Sequence, residues 1–138
     1  MMQDNGNFLL LNSLSKIIWQ SFDSPTDTIL PGQILNMGHM LFSNANGTED
    51  YSTGQYKLEV QKSDGNIVIS AFPYSDPGYW YTSTTSNTSV RLIYLQQHIT
   101  AFIYTVIGTH NIFNMATEVP NPVQNYYHRA TINDRGNF

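Results

Sequence analysis

The sequence predicts an all-β protein built from antiparallel hairpins, and three observations carry that reading. Polarity comes from Asn, Ser, Thr and Gln: only 12% of the 138 residues are charged, beside 13% aromatics, where an average globular domain is about a quarter charged. Residues 55–61 alternate strictly, with Tyr56, Leu58 and Val60 to one side and Lys57, Glu59 and Gln61 to the other; that is the pattern of a half-buried strand. No stretch sustains a helical period between capping residues. The chain is too aromatic for a disordered segment and long enough for one domain with a real core.

The elements follow in order. Residues 7–11 and 17–22 are short apolar runs that read as a hairpin, with residues 12–15 at its tip. A proline-bounded loop comes next. Residues 34–43 carry Gly38 in their middle, which suggests two short strands around a tight turn, and residues 44–53 read as a polar surface loop. The alternating strand at 55–61 turns at Ser63-Asp64-Gly65 and returns over residues 66–72. Residues 78–82 form an aromatic strand, with Trp80 expected in the core together with Trp19, and residues 82–89 a Ser/Thr/Asn loop. Residues 90–95 and 101–107 make a hairpin across Gln96-Gln97-His98, and residues 111–117 and 126–132 make another, with Pro120 and Pro122 in the connection. One element recurs: Asp4-Asn5-Gly6-Asn7-Phe8, Asp64-Gly65-Asn66-Ile67 and Asp134-Arg135-Gly136-Asn137-Phe138 each place an Asp/Gly/Asn turn before an apolar strand.

Composition excludes several functions. A formal charge of −4, with six scattered basic residues, gives no cluster to neutralise phosphates, so nucleic acid is not an expected partner. There is no cysteine for a disulfide or thiolate metal site. His39, His98, His110 and His128 lack metal-ligand spacing, and no nucleophile elbow, phosphate loop or kinase signature is present. No metal or cofactor is expected. The first residues form no signal peptide. Residues 90–108, though apolar, are broken by Arg91, Gln96, Gln97 and His98, which makes a poor membrane span and a good pair of buried strands. Asn46-Gly47-Thr48 and Asn87-Thr88-Ser89 are glycosylation sequons in polar stretches, making Asn46 and Asn87 candidate acceptors.

Residues 19–33 organise the rest. Ile17, Ile18, Trp19 and Phe22 give an apolar start, then Asp23 and Asp27 are interleaved with Ser and Thr, alongside Pro25 and Pro31. The prolines fix φ and remove donors, while the aspartates beside hydroxyls close Asx and Ser/Thr turns. This reads as a strand exit locked by local hydrogen bonds; an acid–base carboxylate pair is the lesser reading.

Here the residues carry a resemblance. Trp19-Gln20-Ser21-Phe22-Asp23, Pro25-Thr26-Asp27-Thr28 and Leu30-Pro31-Gly32-Gln33 closely resemble the segment that ends the bulb-type lectin domain of plant S-domain (G-type lectin) receptor-like kinases. Tyr51-Ser52-Thr53-Gly54-Gln55-Tyr56 and Ser63-Asp64-Gly65-Asn66-Ile67-Val68 resemble that family's second lectin-like unit. The resemblance implies a β-prism II fold of antiparallel sheets, incomplete at both ends. Residues 1–33 would complete a first lectin unit with its loop, and residues 34–138 would form a second, truncated one. It implies non-catalytic recognition of a mannose-type glycan or other ligand at the extracellular face of the plasma membrane, the kinase lying elsewhere. A protein-interaction or receptor-dimerisation module with degenerate sugar sites, or a truncated gene product, are the alternatives.

In that family a strand reading Gln-x-Asp-x-Asn-x-Val-x-Tyr holds the sugar, the two-residue period placing all five side chains on one face. The first copy here is Gln3, Asn5, Asn7, Leu9 and Leu11; the second is Lys62, Asp64, Asn66, Val68 and Ser70. A third, Gln96, His98, Thr100, Phe102 and Tyr104, keeps only its ends, and a last begins at Arg135 and Asn137. Asn5 replaces the charged acceptor of the first copy, which weakens its hydrogen bonds. Asp64, Asn66 and Val68 are therefore the leading candidates, followed by Gln3, Asn5 and Asn7. Tyr74, Tyr79, Trp80 and Tyr81 offer ring faces for sugar or core.

Overall fold

The computed structural model describes residues 1–74, 78–84, 90–95, 100–105, 108–114, 127 and 129–138. Its strands are β1 (Leu9–Leu11), β2 (Ile17–Gln20), β3 (Thr28–Ile29), β4 (Ile34–Asn36), β5 (Met40–Asn46) and β6 (Asp50–Val60), followed by β7 (Ile67–Ala71), β8 (Trp80–Tyr81), β9 (Arg91–Leu95), β10 (Thr100–Thr105), β11 (Gly108–Asn114) and β12 (Ala130–Thr131). Every pairing among the described residues is antiparallel. One short 3-10 turn, Ser21–Asp23, interrupts them. The protein is all-β, as the composition and the alternation at 55–61 require.

Two four-stranded sheets, ordered β5-β6-β7-β8 and β11-β10-β9-β4, are joined by two-stranded ladders β1-β2 and β12-β3. The sheets meet over a shared core: Leu58 and Val60 of β6 and Ile67 and Ile69 of β7 lie with Leu35 of β4 and Leu92 of β9. Ile29 and Ile132 join the same core. The turn around Gly38 separates β4 from β5 as expected, but the two strands do not pair with each other. Its bond, from His39 N–H to the Asn36 carbonyl at 3.0 Å, is a corner that carries the chain from one sheet to the other.

Four expectations are corrected. Residues 44–53 are not a surface loop: β5 and β6 run through them, joined by a tight turn at Gly47–Glu49, with register shifts at Phe42/Asn44 and Asn44/Asn46. Bulges of this kind let a polar strand keep pairing while it twists, and composition alone reads them as loop. Among the described residues of 111–117 and 126–132, no hairpin pairing is seen. β11 pairs with β10, and β12 instead pairs with β3 inside the proline-bounded loop, Ala130 opposite Ile29. The contact is non-local; Thr28 and Thr131 share a hydroxyl bond at 2.7 Å and Ile132 N–H donates to the Asp27 carbonyl at 2.9 Å.

The other two corrections concern burial. Lys57 does not face water: its side chain is 6% exposed and its ammonium pairs with Glu59 at 2.9 Å. The sheet is buried on both faces there, and the long aliphatic stem makes that tolerable. Trp19 and Trp80 are both exposed rather than core. Trp19 sits opposite Leu10 on the two-stranded ladder, away from the shared core.

The C-terminal turn docks on the β5-β6-β7-β8 sheet. The Tyr79 hydroxyl donates to the Gly136 carbonyl, and the Tyr79 ring meets Tyr56 edge-on with centroids 6.1 Å apart. Burial first, and Tyr56 second, raise the Tyr79 phenol above its ordinary value of 10.0. The folded chain thus holds this proton longer than the unfolded chain does, so the stabilisation is whole below pH 10 and is lost as pH rises through the raised value. Melting temperature followed from about pH 9 to about pH 11 is expected to fall less steeply for Tyr79→Phe than for the parent; coincident slopes would assign the alkaline loss to another group. A second prediction concerns the bulge: a Cβ on Gly54 would lie 2.2 Å from the Asn44 carbonyl oxygen and 2.6 Å from its carbon. Gly54→Ala is expected to cost about 1–3 kcal/mol in urea unfolding.

Candidate functional site

The recurring Asp/Gly/Asn element is one turn used repeatedly. In the first copy Gln3 N–H donates to the Asn7 carbonyl and Gly6 N–H to the Gln3 carbonyl, both at 2.9 Å. Gly6 has φ +87°, which a β-carbon would strain. Asn5 Oδ1 accepts the Asn7 N–H at 3.0 Å, an Asx turn inside a three-residue hairpin loop. The last copy repeats this at Asn133–Asn137, with Gly136 at φ +76°. The middle copy is one residue longer: Gln61 bonds to the Asn66 carbonyl, Gly65 lies at φ +75°, and Asp64 Oδ1 accepts the Asn66 N–H at 3.0 Å. A further copy closes the β1-β2 hairpin at Asn12–Lys16, where Ser15 takes the positive φ.

This geometry decides where the sequence-predicted sugar residues go. Residues 3–7 form a turn, so Gln3, Asn5 and Asn7 do not line one strand face. Asn7 is buried; its Nδ2 donates to Gln20 Oε1 at 2.9 Å, and its Oδ1 accepts from the Ser21 hydroxyl and the Phe22 N–H at 3.2 Å each. Gln20 in turn donates to Asp23, and Gln33 donates to the Phe22 carbonyl. Asp27 accepts the Thr26 hydroxyl. Both loop carboxylates therefore accept local hydrogen bonds, Asp27 from a neighbouring hydroxyl as expected and Asp23 from the Gln20 amide instead.

Asn66 repeats the role of Asn7. It is buried, and its Oδ1 accepts from the Thr82 hydroxyl at 3.0 Å and the Thr84 N–H at 3.3 Å. Val68 is buried against Gly78, where a Cβ would lie 2.2 Å from Val68 Cγ1. The structure thus brings Asp64, Asn66 and Val68 together, with internal partners. Lys62 is exposed and Ser70 is buried. The third copy's side chains lie outside the described residues.

What opens to solvent is a cleft of about 530 Å³ beside the first turn. Gln3, Asp4, Asn5 and Gly6 of the turn line it together with an apolar floor of Leu30 and Pro31 and with Tyr127 and Arg129. Gly6 makes the fit possible, since a Cβ there would lie 2.7 Å from Leu30 Cδ1. Gln3, Asp4, Tyr127 and Arg129 are exposed, and among the described residues none of their side chains has a hydrogen-bond or ion-pair partner. Asn5 uses its oxygen for the turn, leaving Nδ2. Sequence reasoning found Gln3 and Asn5 but missed Asp4, Tyr127 and Arg129. The signal at Asp4 was its place at the tip of the repeated turn; nothing local marks the other two, which arrive from more than a hundred residues away.

Elsewhere, Asn46 is exposed at the β5-β6 turn, donating to Glu49 at 3.3 Å, and Asn87 lies outside the described residues. His39 Nδ1 is buried with no partner. Among the described residues no group of three or more His, Cys, Asp or Glu could hold a metal ion, and no helix is long and apolar enough to cross a membrane.

Comparison with known proteins bears on the family of the chain. The D-mannose binding lectin family matches residues 1–46, which contain the first turn, its Asn7 clamp and the cleft floor. A G-type lectin S-receptor-like serine/threonine-protein kinase of Oryza sativa subsp. japonica is 38% identical over 143 residues, covering 99% of this chain and 17% of the kinase. One from Oryza sativa subsp. indica shows the same identity and coverage. One from Arabidopsis thaliana is 50% identical over 62 residues, covering 45% of this chain and 7% of that protein. The chain thus spans under a fifth of the rice relatives' length. Over 99% of its residues, it corresponds to a lectin-bearing segment of the G-type lectin S-receptor-like kinases.

Proposed function

We propose that this chain is a non-catalytic recognition module for mannose-type glycans in the extracellular part of a lectin receptor kinase. The observation that supports it is the cleft: polar side chains without partners gathered beside the apolar Leu30 and Pro31, with the turn and those two residues inside the segment that matches a D-mannose binding family and Tyr127 and Arg129 outside it. A hexose presents neighbouring hydroxyls and an apolar C–H face. Asp4 is the acceptor suited to paired hydroxyls, since a charged acceptor bonds about twice as strongly as a neutral one. Gln3 and Asn5 Nδ2 supply donors, and Tyr127 supplies a ring for the C–H face. In this reading Asn7 positions the turn, while Asp64, Asn66 and Val68 hold the corresponding turn of the second unit. The division into a first unit ending near Gln33 and a second from Ile34 belongs to the same proposal.

A second reading, protein contact or receptor pairing, is favoured by the β1-β2 ladder, where Leu10, Leu14, Ile17, Ile18 and Trp19 are all exposed. Exposed apolar patches of that kind mark interaction surfaces.

Titration of residues 1–138 with mannose and a mannose oligosaccharide, followed by amide NMR, separates the two. Saturable shifts centred on residues 3–6 and Tyr127, weakened about tenfold or more by Asp4→Ala, support the glycan cleft. A well-dispersed spectrum indifferent to sugar would leave the apolar ladder as the better account. Asn7→Ala is expected to act differently, lowering stability by about 1–3 kcal/mol because Gln20, Ser21 and Phe22 lose a buried partner; if it weakened sugar binding with stability unchanged, Asn7 would be a ligand.

A further inference from the structure

Arg129 has no role in the fold described above. Its side chain is exposed on the cleft wall and has no hydrogen-bond or ion-pair partner among the described residues. Among the described residues that line the cleft the one carboxylate is Asp4, yet it and Arg129 form no ion pair with each other. Opposite charges that line one cleft without pairing leave it with both an acceptor, at the turn, and a separate guanidinium.

From this arrangement, and resting on the glycan reading, we propose that the cleft takes a carboxylated sugar of the hexuronate class, with Arg129 as its anion subsite. The planar guanidinium presents parallel N–H donors that match a carboxylate bidentately, a match that a single hydroxyl does not fill. Asp4 repels a carboxylate and accepts hydroxyls, so the two charges together fix one orientation: acid group toward Arg129, hydroxyl edge toward Asp4 and the amides. Repulsion at one end makes the choice specific as well as favourable. Tyr127, which lines the same cleft, offers a ring for the sugar's C–H face. The net charge of −4 opposes any long-range attraction of an acidic glycan, so selectivity comes from contact at Arg129 rather than from steering.

The test uses a matched pair of probes, a trigalacturonate and its methyl ester, which differ in charge at the carboxyl, together with a neutral mannose trisaccharide. Affinities are measured by NMR titration or calorimetry on the full 138-residue chain at two salt concentrations. The acid is expected to bind about tenfold or more tightly than its ester, with the advantage shrinking at high salt. Arg129→Gln is expected to abolish that advantage while leaving the neutral sugar's affinity within about twofold, and Arg129→Lys to restore only part of it. An unchanged melting temperature shows that the variants fold, as expected for an exposed side chain without partners. Equal affinity for acid and ester, or a preference that survives Arg129→Gln, overturns the anion subsite and leaves the glycan reading standing if shifts still map to residues 3–6. Failure of all three probes to bind overturns both.

Discussion

The side-chain amide of Asn7 is the interaction on which the first part of this structure depends. It follows a glycine at positive φ, points inward, and satisfies Gln20, Ser21 and Phe22 at once. A buried amide without partners would cost several kcal/mol; with three it becomes a clamp that fixes where the chain passes 13 to 15 residues later. From that crossing the 3-10 turn, the proline-bounded loop and Gln33 follow, each bonded to the previous piece. Asn66 makes the same kind of clamp on Thr82 and Thr84. Two glycine–asparagine steps therefore hold down two distant stretches of chain, in a protein with few charges and no disulfide.

The fold class and most hairpins were legible because they are local. Alternation fixes β6, turn chemistry fixes its return through Asp64-Gly65, and apolar runs fix β1, β2, β9 and β10. What failed was non-local or two-sided. The partner of β12 is β3, about a hundred residues earlier, and two Ile- and Ala-bearing segments give no local sign of meeting. Lys57 reads as outward by alternation, yet that face of the sheet is buried too. The turn at Asn12–Lys16 escaped the repeat because serine occupies the position that glycine holds elsewhere.

The site was half legible, for a physical reason. A family pattern with a two-residue period presumes a strand from Gln3 to Leu11, whereas the backbone turns between Gln3 and Asn7 and only then extends. The period begins too late to align the polar residues. Asn7, read as a ligand, goes inward; Asp4, passed over as an intervening position, comes out. Tyr127 and Arg129 reach the cleft through the pairing of β12 with β3, so the same contact that sequence could not foresee also completes the site.

The repeated turn shows how one local solution yields different surfaces. At Gly6 it is pressed against Leu30, leaving its polar tip beside an open cleft; at Gly136 it is pressed against Tyr56 and Tyr79, whose hydroxyl takes the glycine carbonyl. In both places the missing β-carbon permits the approach, since one would lie 2.7 Å from Leu30 or 2.2 Å from Tyr79 Oη. Backbone hydrogen bonding is the same in the two turns, so it cannot by itself make a binding site. What distinguishes them is the floor. An aliphatic side chain followed by a proline has no polar group to offer the tip, and Asp4 is left without a partner. A tyrosine floor offers a hydroxyl to the turn's backbone, at the Gly136 carbonyl, and the turn becomes part of the fold. In the proposed glycan reading, the cleft at the first turn thus depends on Leu30 and Pro31 as much as on the polar residues beside them.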